Sequence, residues 1–204
     1  LGVLRNHPAT GHEDEASLRH GKLAVIRMQR RPSARPAVDP SVLSSCAISG
    51  GTGALGLLVG LWLAGRGTEE LSLLSRSGRS GSGQHWGQLQ ASGPALSVIA
   101  CDISSRLADM DARPTGLVHA AGVDMYSSLS DLVQSQHHTV LAPKTDGTRN
   151  LQHGLVDAPV QYAVMFSSAS ALVGLRSGTM YAAANSCLDG FAQAQRAAGL
   201  PAQS

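Results

Sequence analysis

The feature that most constrains the fold is a glycine-rich turn between an apolar strand and an apolar helix. The stretch SSCAISG (44–50) predicts a buried strand, and GALGLLVGLWLAG (53–65) predicts a helix. The turn between them, SGGTGALG, matches GxGxxG counted from Gly51 and GxxGxxG counted from Gly50. Such glycines permit a tight turn and close approach of a pyrophosphate to the helix N-terminus. A dinucleotide site is therefore predicted here, with a glycine loop that binds nothing as the alternative.

Apolar strands alternate with helical stretches along the rest of the chain. Further strands are predicted at LSLLSR, SVIACD, GLVHAAG and QYAVMFSS, and helices around 85–92, 130–152 and 180–198. Strands that are apolar throughout are typical of a parallel sheet covered on both faces. The predicted fold class is therefore α/β, a Rossmann-like doubly wound parallel sheet.

The first forty residues differ in composition from the rest of the chain. Residues 1–30 are polar apart from one apolar run, 23–28, which predicts a short strand. Residues 31–41 carry three prolines and predict a linker. The expected organisation is a short polar segment over 1–30, this linker, and the main folded domain over 42–204.

Composition excludes several classes of function. The formal net charge is +2 and no long basic run occurs, so nucleic acid is not an expected partner. No apolar run approaches the length of a bilayer span, and no signal peptide is recognisable, so no membrane is expected. Cys46, Cys101 and Cys187 form no CxxC pair, which favours reduced thiols in a cytoplasmic protein. The histidines show no metal-ligand spacing, and no metal site is predicted.

The end of the second predicted strand indicates which dinucleotide is bound. An NAD site places Asp or Glu about twenty residues after the glycine turn. Here the position holds Ser75 and Arg76, and a guanidinium suits the 2′-phosphate of NADPH. A solvated surface arginine is the alternative. Asp102, at the end of the third strand, can meet the adenine amino group or cap the turn that follows.

Catalytic candidates cluster near the end of the chain. Ser168 ends a predicted strand, Tyr181 opens the next helix, and Asn185 lies one turn beyond Tyr181. A tyrosine needs a nearby cation for proton transfer at neutral pH, because a free phenol has a pKa of about 10. Lys144, the only lysine after Lys22, is the candidate cation. Taken singly, Ser168 also fits a turn cap and Lys144 a solvated charge.

Together these motifs resemble the ketoreductase domain of modular type I polyketide synthases, a branch of the short-chain dehydrogenases/reductases. The resemblance rests on SGGTGALG, LSLLSRSGR, VIACD, LVHAAGV, VLAPKTDGTRNL, FSS and MYAAANSCLDGFAQAQRAAGLPA. It implies a catalytic tetrad of Lys144, Ser168, Tyr181 and Asn185, with Lys144 as the cation beside Tyr181. The predicted cofactor-binding residues are Gly50, Gly51, Thr52, Gly53, Ala54, Leu55, Gly56, Ser75, Arg76, Cys101, Asp102, Ile103, His119, Ala120, Ala121 and Gly122.

The resemblance also implies a reaction and its partners. The expected reaction is NADPH-dependent reduction of the β-keto group of an acyl thioester, carried on the phosphopantetheine arm of an acyl carrier protein. Neighbouring synthase domains are the other expected partners. A free-standing ketone reductase and an inactive, cofactor-binding remnant of a synthase remain alternatives.

The chain departs from the family pattern at several places. Residues 124–126 read DMY where one stereochemical class carries LDD, and Val173 stands where the other class carries tryptophan. Product stereochemistry is therefore left open. The segment from Asp102 to Leu117 is short for the family, and a stunted crossover is expected there. The family's C-terminal lid and last strand are absent, which predicts a domain truncated at its C-terminus.

Overall fold

The computed structural model describes residues 16–19, 22–25, 44–105, 113–127, 134–155 and 157–204. The chain divides into two compact units, residues 1–37 and 38–204. In the first unit, strands β1 (Ala16–Arg19) and β2 (Lys22–Val25) pair antiparallel. The expected strand at 23–28 is thus seen in part. The expected linker at 31–41 and most of the short crossover after Asp102 lie outside the described residues.

The second unit is built on a five-stranded sheet in which every pair of neighbours is parallel. Its order is β5-β4-β3-β6-β7, so the chain moves from β3 to one edge and then returns to the other side of β3. The switch point falls between β3 and β6, where ligands bind in open sheets of this kind. The predicted Rossmann-like α/β class is confirmed. The strands are β3 (Ser45–Ser49), β4 (Glu70–Ser75), β5 (Ala95–Ala100), β6 (Gly116–His119) and β7 (Tyr162–Met165).

The helices are α1 (Ala54–Ala64), α2 (Gly83–Ala91), α3 (Gln134–Leu141), α4 (Asp146–Gly154), α5 (Ser170–Val173) and α6 (Thr179–Ala197). The single helix predicted over 130–152 is wrong, because the turn 142–145 separates α3 from α4. Pro143 explains the break, since proline lacks an amide donor and disfavours helical backbone at the preceding residue. None of the described helices has the length and hydrophobicity of a membrane span.

Alternate residues of the strands build a core on each face of the sheet. Ile48 points to the face where Leu57 of α1 and Leu89 of α2 pack. Its neighbour Ala47 points to the opposite face and packs with Leu151 of α4. Because successive side chains point to opposite faces and both faces are covered, neighbouring strand positions are apolar instead of alternating with polar ones.

Beyond α6 the chain returns to the free side of β7. Gln203 forms a parallel bridge with Val164. The Met165 amide donates to the Gln203 carbonyl (2.7 Å), and the Gln203 amide donates to the Ala163 carbonyl (2.9 Å). The last residues therefore cover part of the edge that β7 exposes.

The glycine turn allows α1 to start directly against the sheet. A Cβ at Gly51 would lie 2.8 Å from the Ile48 carbonyl oxygen and 2.8 Å from the Leu73 Cα. A Cβ at Gly56 would lie 2.7 Å from the Gly51 Cα. Gly50 has a φ of +68°, which side chains rarely tolerate. Only glycine fits these positions without moving the backbone.

We predict that Gly56→Ala destabilises the fold, whereas Gly87→Ala does not. Both glycines lie inside helices, so helix propensity gains equally at both positions. At Gly56 the new methyl would overlap backbone atoms, which costs about 1–3 kcal/mol of unfolding free energy. At Gly87 no atom lies within 4 Å of the new methyl. Urea denaturation of both variants without cofactor measures the difference, and equal stabilities would contradict the packing role of Gly56.

Candidate active site

A cavity of about 780 Å³ opens at the carboxyl ends of the strands, over the switch point. It lies between the glycine turn, the ends of β4, β5 and β6, the turn before α4, the end of β7 and the first turns of α6. Among the predicted cofactor residues, all line this cavity except Gly51 and His119. Among the four predicted catalytic residues, Lys144 and Tyr181 line it.

The N-terminus of α1 supplies an open anion site in this cavity. No side chain caps the helix at Gly53, and no acidic residue occupies its first turn. The first amide groups of a helix have no partner within the helix, and the helix dipole adds positive potential there. Thr52, Ala54 and Leu55 of this turn line the cavity. The arrangement suits a pyrophosphate.

Arg76 after β4 and Asp102 after β5 both line the cavity, but they differ in their bonding partners. Arg76 is exposed, lines the cavity, and makes no ion pair among the described residues. Its guanidinium is thus available to a phosphate. Asp102 also lines the cavity, and its Oδ1 accepts a hydrogen bond from the Ser104 amide (3.0 Å). The turn-capping role considered for Asp102 is therefore observed.

His119 points away from the cavity into the protein. Its side chain is buried, and its Nδ1 lies 2.5 Å from the Ser49 hydroxyl. Burial, followed by the charge of Lys144, lowers the pKa of His119 to about 3, although the Pro143 carbonyl acts in the opposite direction. The ring is therefore neutral. The cavity wall after β6 is formed instead by Ala120, Ala121 and Gly122.

Lys144 is a buried ammonium and not a solvated surface charge. It lies in the turn between α3 and α4, with only 5% of its surface exposed. Its Nζ donates a hydrogen bond to the Phe166 carbonyl (2.7 Å), and the backbone carbonyl of Lys144 accepts one from the Thr148 hydroxyl (2.5 Å). Burial lowers the pKa of Lys144 to about 8, against the opposing charge of Asp189. The ammonium thus reaches the same cavity as Tyr181.

Asn185 supports Tyr181 from within α6. Its side chain is fully buried, and its Nδ2 donates to the Tyr181 carbonyl (2.8 Å). The Asn185 carbonyl in turn accepts a hydrogen bond from the Ser167 hydroxyl (3.2 Å). Asn185 therefore ties α6 to the end of β7 and acts on Tyr181 through the backbone; it does not line the cavity.

Ser168 lies one residue beyond the serine that lines the cavity. Its hydroxyl accepts hydrogen bonds from the Ser170 amide (3.2 Å) and the Ser170 hydroxyl (3.0 Å). Ser167 is the serine on the cavity wall. Ser167 and Ser168 have the same side chain, and neighbouring residues of an extended segment point to opposite sides. The sequence alone therefore cannot show which of the two serines faces the cavity.

Tyr126 is a neighbour of the site that the motifs did not identify. Its ring centroid lies 6.3 Å from that of Tyr181, with the planes tilted by 56°. The Ser127 amide donates to the Ser177 carbonyl (2.8 Å), which fixes the segment after β6 against the loop before α6. The sequence DMY after HAAGV could have identified Tyr126, because residues that follow the carboxyl end of a strand face this crevice.

Comparison with known proteins identifies the family of this chain. The model of the KR domain family matches residues 44–204. The chain belongs to the KR domain family. It is 36% identical over 208 residues to the pikromycin polyketide synthase component PikAIII of Streptomyces venezuelae, covering 96% of this chain and 13% of that protein. It is 33% identical to erythronolide synthase EryA3 of Saccharopolyspora erythraea, covering 94% of this chain and 6% of that protein.

Solved ketoreductases share the fold. An A1-type ketoreductase structure superposes with a TM-score of 0.81 at 30% identity, over 95% of this chain and 44% of that one. The first ketoreductase of the tylosin synthase gives a TM-score of 0.78 at 29% identity, over 94% and 44%. The resemblance to polyketide synthase ketoreductases of the short-chain reductase fold is therefore confirmed. This KR domain chain spans less than half of those structures and a small fraction of the synthases.

We predict that the folding stability of the domain rises between pH 8 and pH 10.5 because of Lys144. In that range the unfolded chain holds a proton that the folded chain, with its lower Lys144 pKa of about 8, has released. Lys144→Met removes the cost of burying the ammonium but also its bond to the Phe166 carbonyl. The variant should gain about 1–3 kcal/mol relative to wild type at pH 7.

Chemical denaturation of both proteins at pH 7, 8.5 and 10 tests this prediction. All other ionisable groups are common to both proteins, so the difference isolates Lys144. A constant difference across the three pH values would show that Lys144 carries no buried charge.

Proposed function

We propose that this chain binds NADPH in the cavity and reduces the β-keto group of an acyl thioester to a β-hydroxy group. The observation that carries the proposal is that Lys144 and Tyr181 line the same cavity as the glycine turn. A cation, a proton donor and a phosphate cradle are thereby brought to one crevice. The cation comes from Lys144 in the turn before α4.

The residues of the cavity fit NADPH. A Cβ at Gly50 or Gly56 would lie too close to backbone atoms, so both positions require glycine. Because the turn carries no side chain there, its backbone amides are accessible to a pyrophosphate. Arg76 supplies an available guanidinium for the 2′-phosphate, and no carboxylate replaces it at the end of β4. When bound, NADPH supplies a hydride to the carbonyl carbon.

The chain's own residues handle the oxygen of the same carbonyl. Tyr181 donates its phenolic proton to the oxygen as negative charge develops there. The Lys144 ammonium stabilises the phenolate that remains on Tyr181. Ser168 is the proposed second donor to the carbonyl oxygen; its hydroxyl accepts from Ser170 and keeps its own proton, but its side chain must turn toward the cavity to donate it. Asn185 holds the backbone of Tyr181 in place.

The substrate and partners follow from the family. The polyketide synthase relatives support an acyl thioester held by an acyl carrier protein, with other synthase domains as neighbours. Three apolar side chains in and just after α5, Leu172, Val173 and Leu175, are exposed and suit contact with an acyl chain. The Asp124–Tyr126 stretch and Val173 leave the stereochemical class of the product open.

We predict that Tyr181→Phe lowers the rate of β-ketoacyl thioester reduction by about 10²- to 10⁴-fold, because the proton donor is lost. NADPH binding, measured by fluorescence titration, should change little. Tyr162→Phe is the matched control, because its hydroxyl faces Gln203 at the edge of the sheet. Persistent reduction by Tyr181→Phe would refute the mechanism, and NADPH binding without turnover in wild type would favour an inactive cofactor-binding domain.

We predict that Arg76→Gln weakens NADPH binding by about 10- to 100-fold and leaves NADH binding nearly unchanged. The loss corresponds to one charge-assisted contact with the 2′-phosphate, about 1.5–3 kcal/mol. Arg149→Gln is the matched control, because Arg149 pairs with Asp146 on the surface of α4. Parallel titrations with both nucleotides measure the selectivity. An equal loss for NADH would mean that Arg76 does not contact that phosphate.

A further inference from the structure

An exposed aromatic ring lies beside Tyr181 at the edge of the cavity. Tyr126 has 56% of its surface exposed, and its ring centroid lies 6.3 Å from that of Tyr181, with the planes tilted by 56°. Tilted rings at this separation attract, because the positive edge of one ring is drawn to the negative face of the other. Asp124, two residues earlier, lines the cavity together with Tyr181. The ring of Tyr126 therefore contributes little to the core and instead contacts Tyr181.

The segment that carries Tyr126 is fastened to the loop before α6. The Ser127 amide donates to the Ser177 carbonyl (2.8 Å). Ser177 has a φ of +56°, and among the described residues it is the only non-glycine residue with a positive φ. A serine in this left-handed region is strained and persists where its surroundings hold it. The bond from Ser127 is one such restraint, and α6 begins two residues later at Thr179.

The backbone of Tyr181 is well held, whereas its side chain has few restraints. Asn185 Nδ2 donates to the Tyr181 carbonyl (2.8 Å), and the Ala182 amide donates to the Gly178 carbonyl (2.9 Å). Within the part of the chain that the structure describes, no hydrogen bond reaches the Tyr181 hydroxyl. A tyrosine in a helix has two common χ1 rotamers, near 180° and −60°, which point the ring in different directions. Ring packing, and not hydrogen bonding, therefore selects between them.

Tyr126 is the aromatic partner available for this selection. In the described ranges, its ring is the only aromatic ring in contact with that of Tyr181. A change of χ1 at Tyr181 would carry the ring away from Tyr126 and lose the attraction between them. The rotamer that keeps this contact also keeps the ring on the cavity wall that it shares with Lys144.

We propose that Tyr126 is a positioning residue that holds the ring of Tyr181 toward the cavity. It acts by ring packing, so its own hydroxyl is not needed and it does not touch the reacting atoms. The catalytic consequence rests on the function proposed above, whereas the orientation of the Tyr181 ring does not. The two are therefore tested separately.

The direct test measures the motion of the Tyr181 ring by NMR relaxation. The chain contains three tyrosines, so protein with labelled tyrosine rings gives three sets of signals, which Tyr126→Phe and Tyr162→Phe assign. We expect the order parameter of the Tyr181 ring to fall in Tyr126→Leu, because a ring without its packing partner samples both rotamers. Tyr126→Phe keeps the packing ring and should keep the wild-type order parameter.

Trp62→Leu is the matched control. Trp62 is an aromatic residue of α1 with 49% of its surface exposed, and it contacts Arg66 outside the cavity. This variant should leave the Tyr181 ring unchanged. An unchanged order parameter of Tyr181 in Tyr126→Leu, with folding verified by circular dichroism, would overturn the proposal. An equal fall in Trp62→Leu would also overturn it, since the effect would then not depend on contact with Tyr181.

The catalytic consequence has its own readout. In Tyr126→Leu we expect kcat for thioester reduction to fall about three- to tenfold, with the KM values for NADPH and thioester unchanged, because fewer Tyr181 rings face the carbonyl. Tyr126→Phe should retain the wild-type kcat. An equal loss in Tyr126→Phe, or a rise in KM at constant kcat, would contradict a positioning role. Absence of turnover in wild type and variants alike would refute the proposed function, and the ring motion would still decide the role of Tyr126.

Discussion

The interaction on which the site depends is the buried ammonium of Lys144 against the Phe166 carbonyl. Burying an ammonium costs free energy unless it is hydrogen-bonded. Here the Phe166 carbonyl, just after β7, accepts a hydrogen bond from Lys144 Nζ at 2.7 Å. The same contact joins the turn before α4 to the strand that leads toward α6. It also requires a bare backbone at Gly122, where a Cβ would lie 2.9 Å from the Lys144 Cε.

A second constraint lies at the other end of the cavity, where α1 starts against the sheet. Gly51 and Gly56 allow α1 to start directly against the turn and β4, since a Cβ at either position would lie within 3.0 Å of backbone atoms. No side chain caps the first turn of α1, so this helix N-terminus is open to the crevice. The two constraints meet because both elements end at the same edge of one parallel sheet. The strand order therefore determines which side chains line the crevice.

Local pattern was sufficient for much of the fold. The apolar strands, the glycine turn and the alanine-rich helix lie close to their predicted positions, because each has a short-range physical signature. The single helix predicted over 130–152 is wrong, because Pro143 interrupts it and the turn 142–145 separates two shorter helices. Of the candidate side chains, Arg76 and Tyr181 line the cavity as expected, whereas Ser168 does not and its neighbour Ser167 does. Contacts such as that of Tyr126 with Tyr181 join segments far apart in sequence, which no local pattern encodes.

From the residues alone follow the class of fold and two hypotheses, a phosphate site at the glycine turn and a cation near Tyr181. All three rest on glycine spacing, strand hydrophobicity and phenol chemistry, which are properties of short stretches. Only the folded chain decided that Lys144 is buried, that His119 turns inward as a neutral ring and that Asn185 works through a backbone carbonyl. Burial and long-range hydrogen bonding set these properties, and both arise when distant segments pack together.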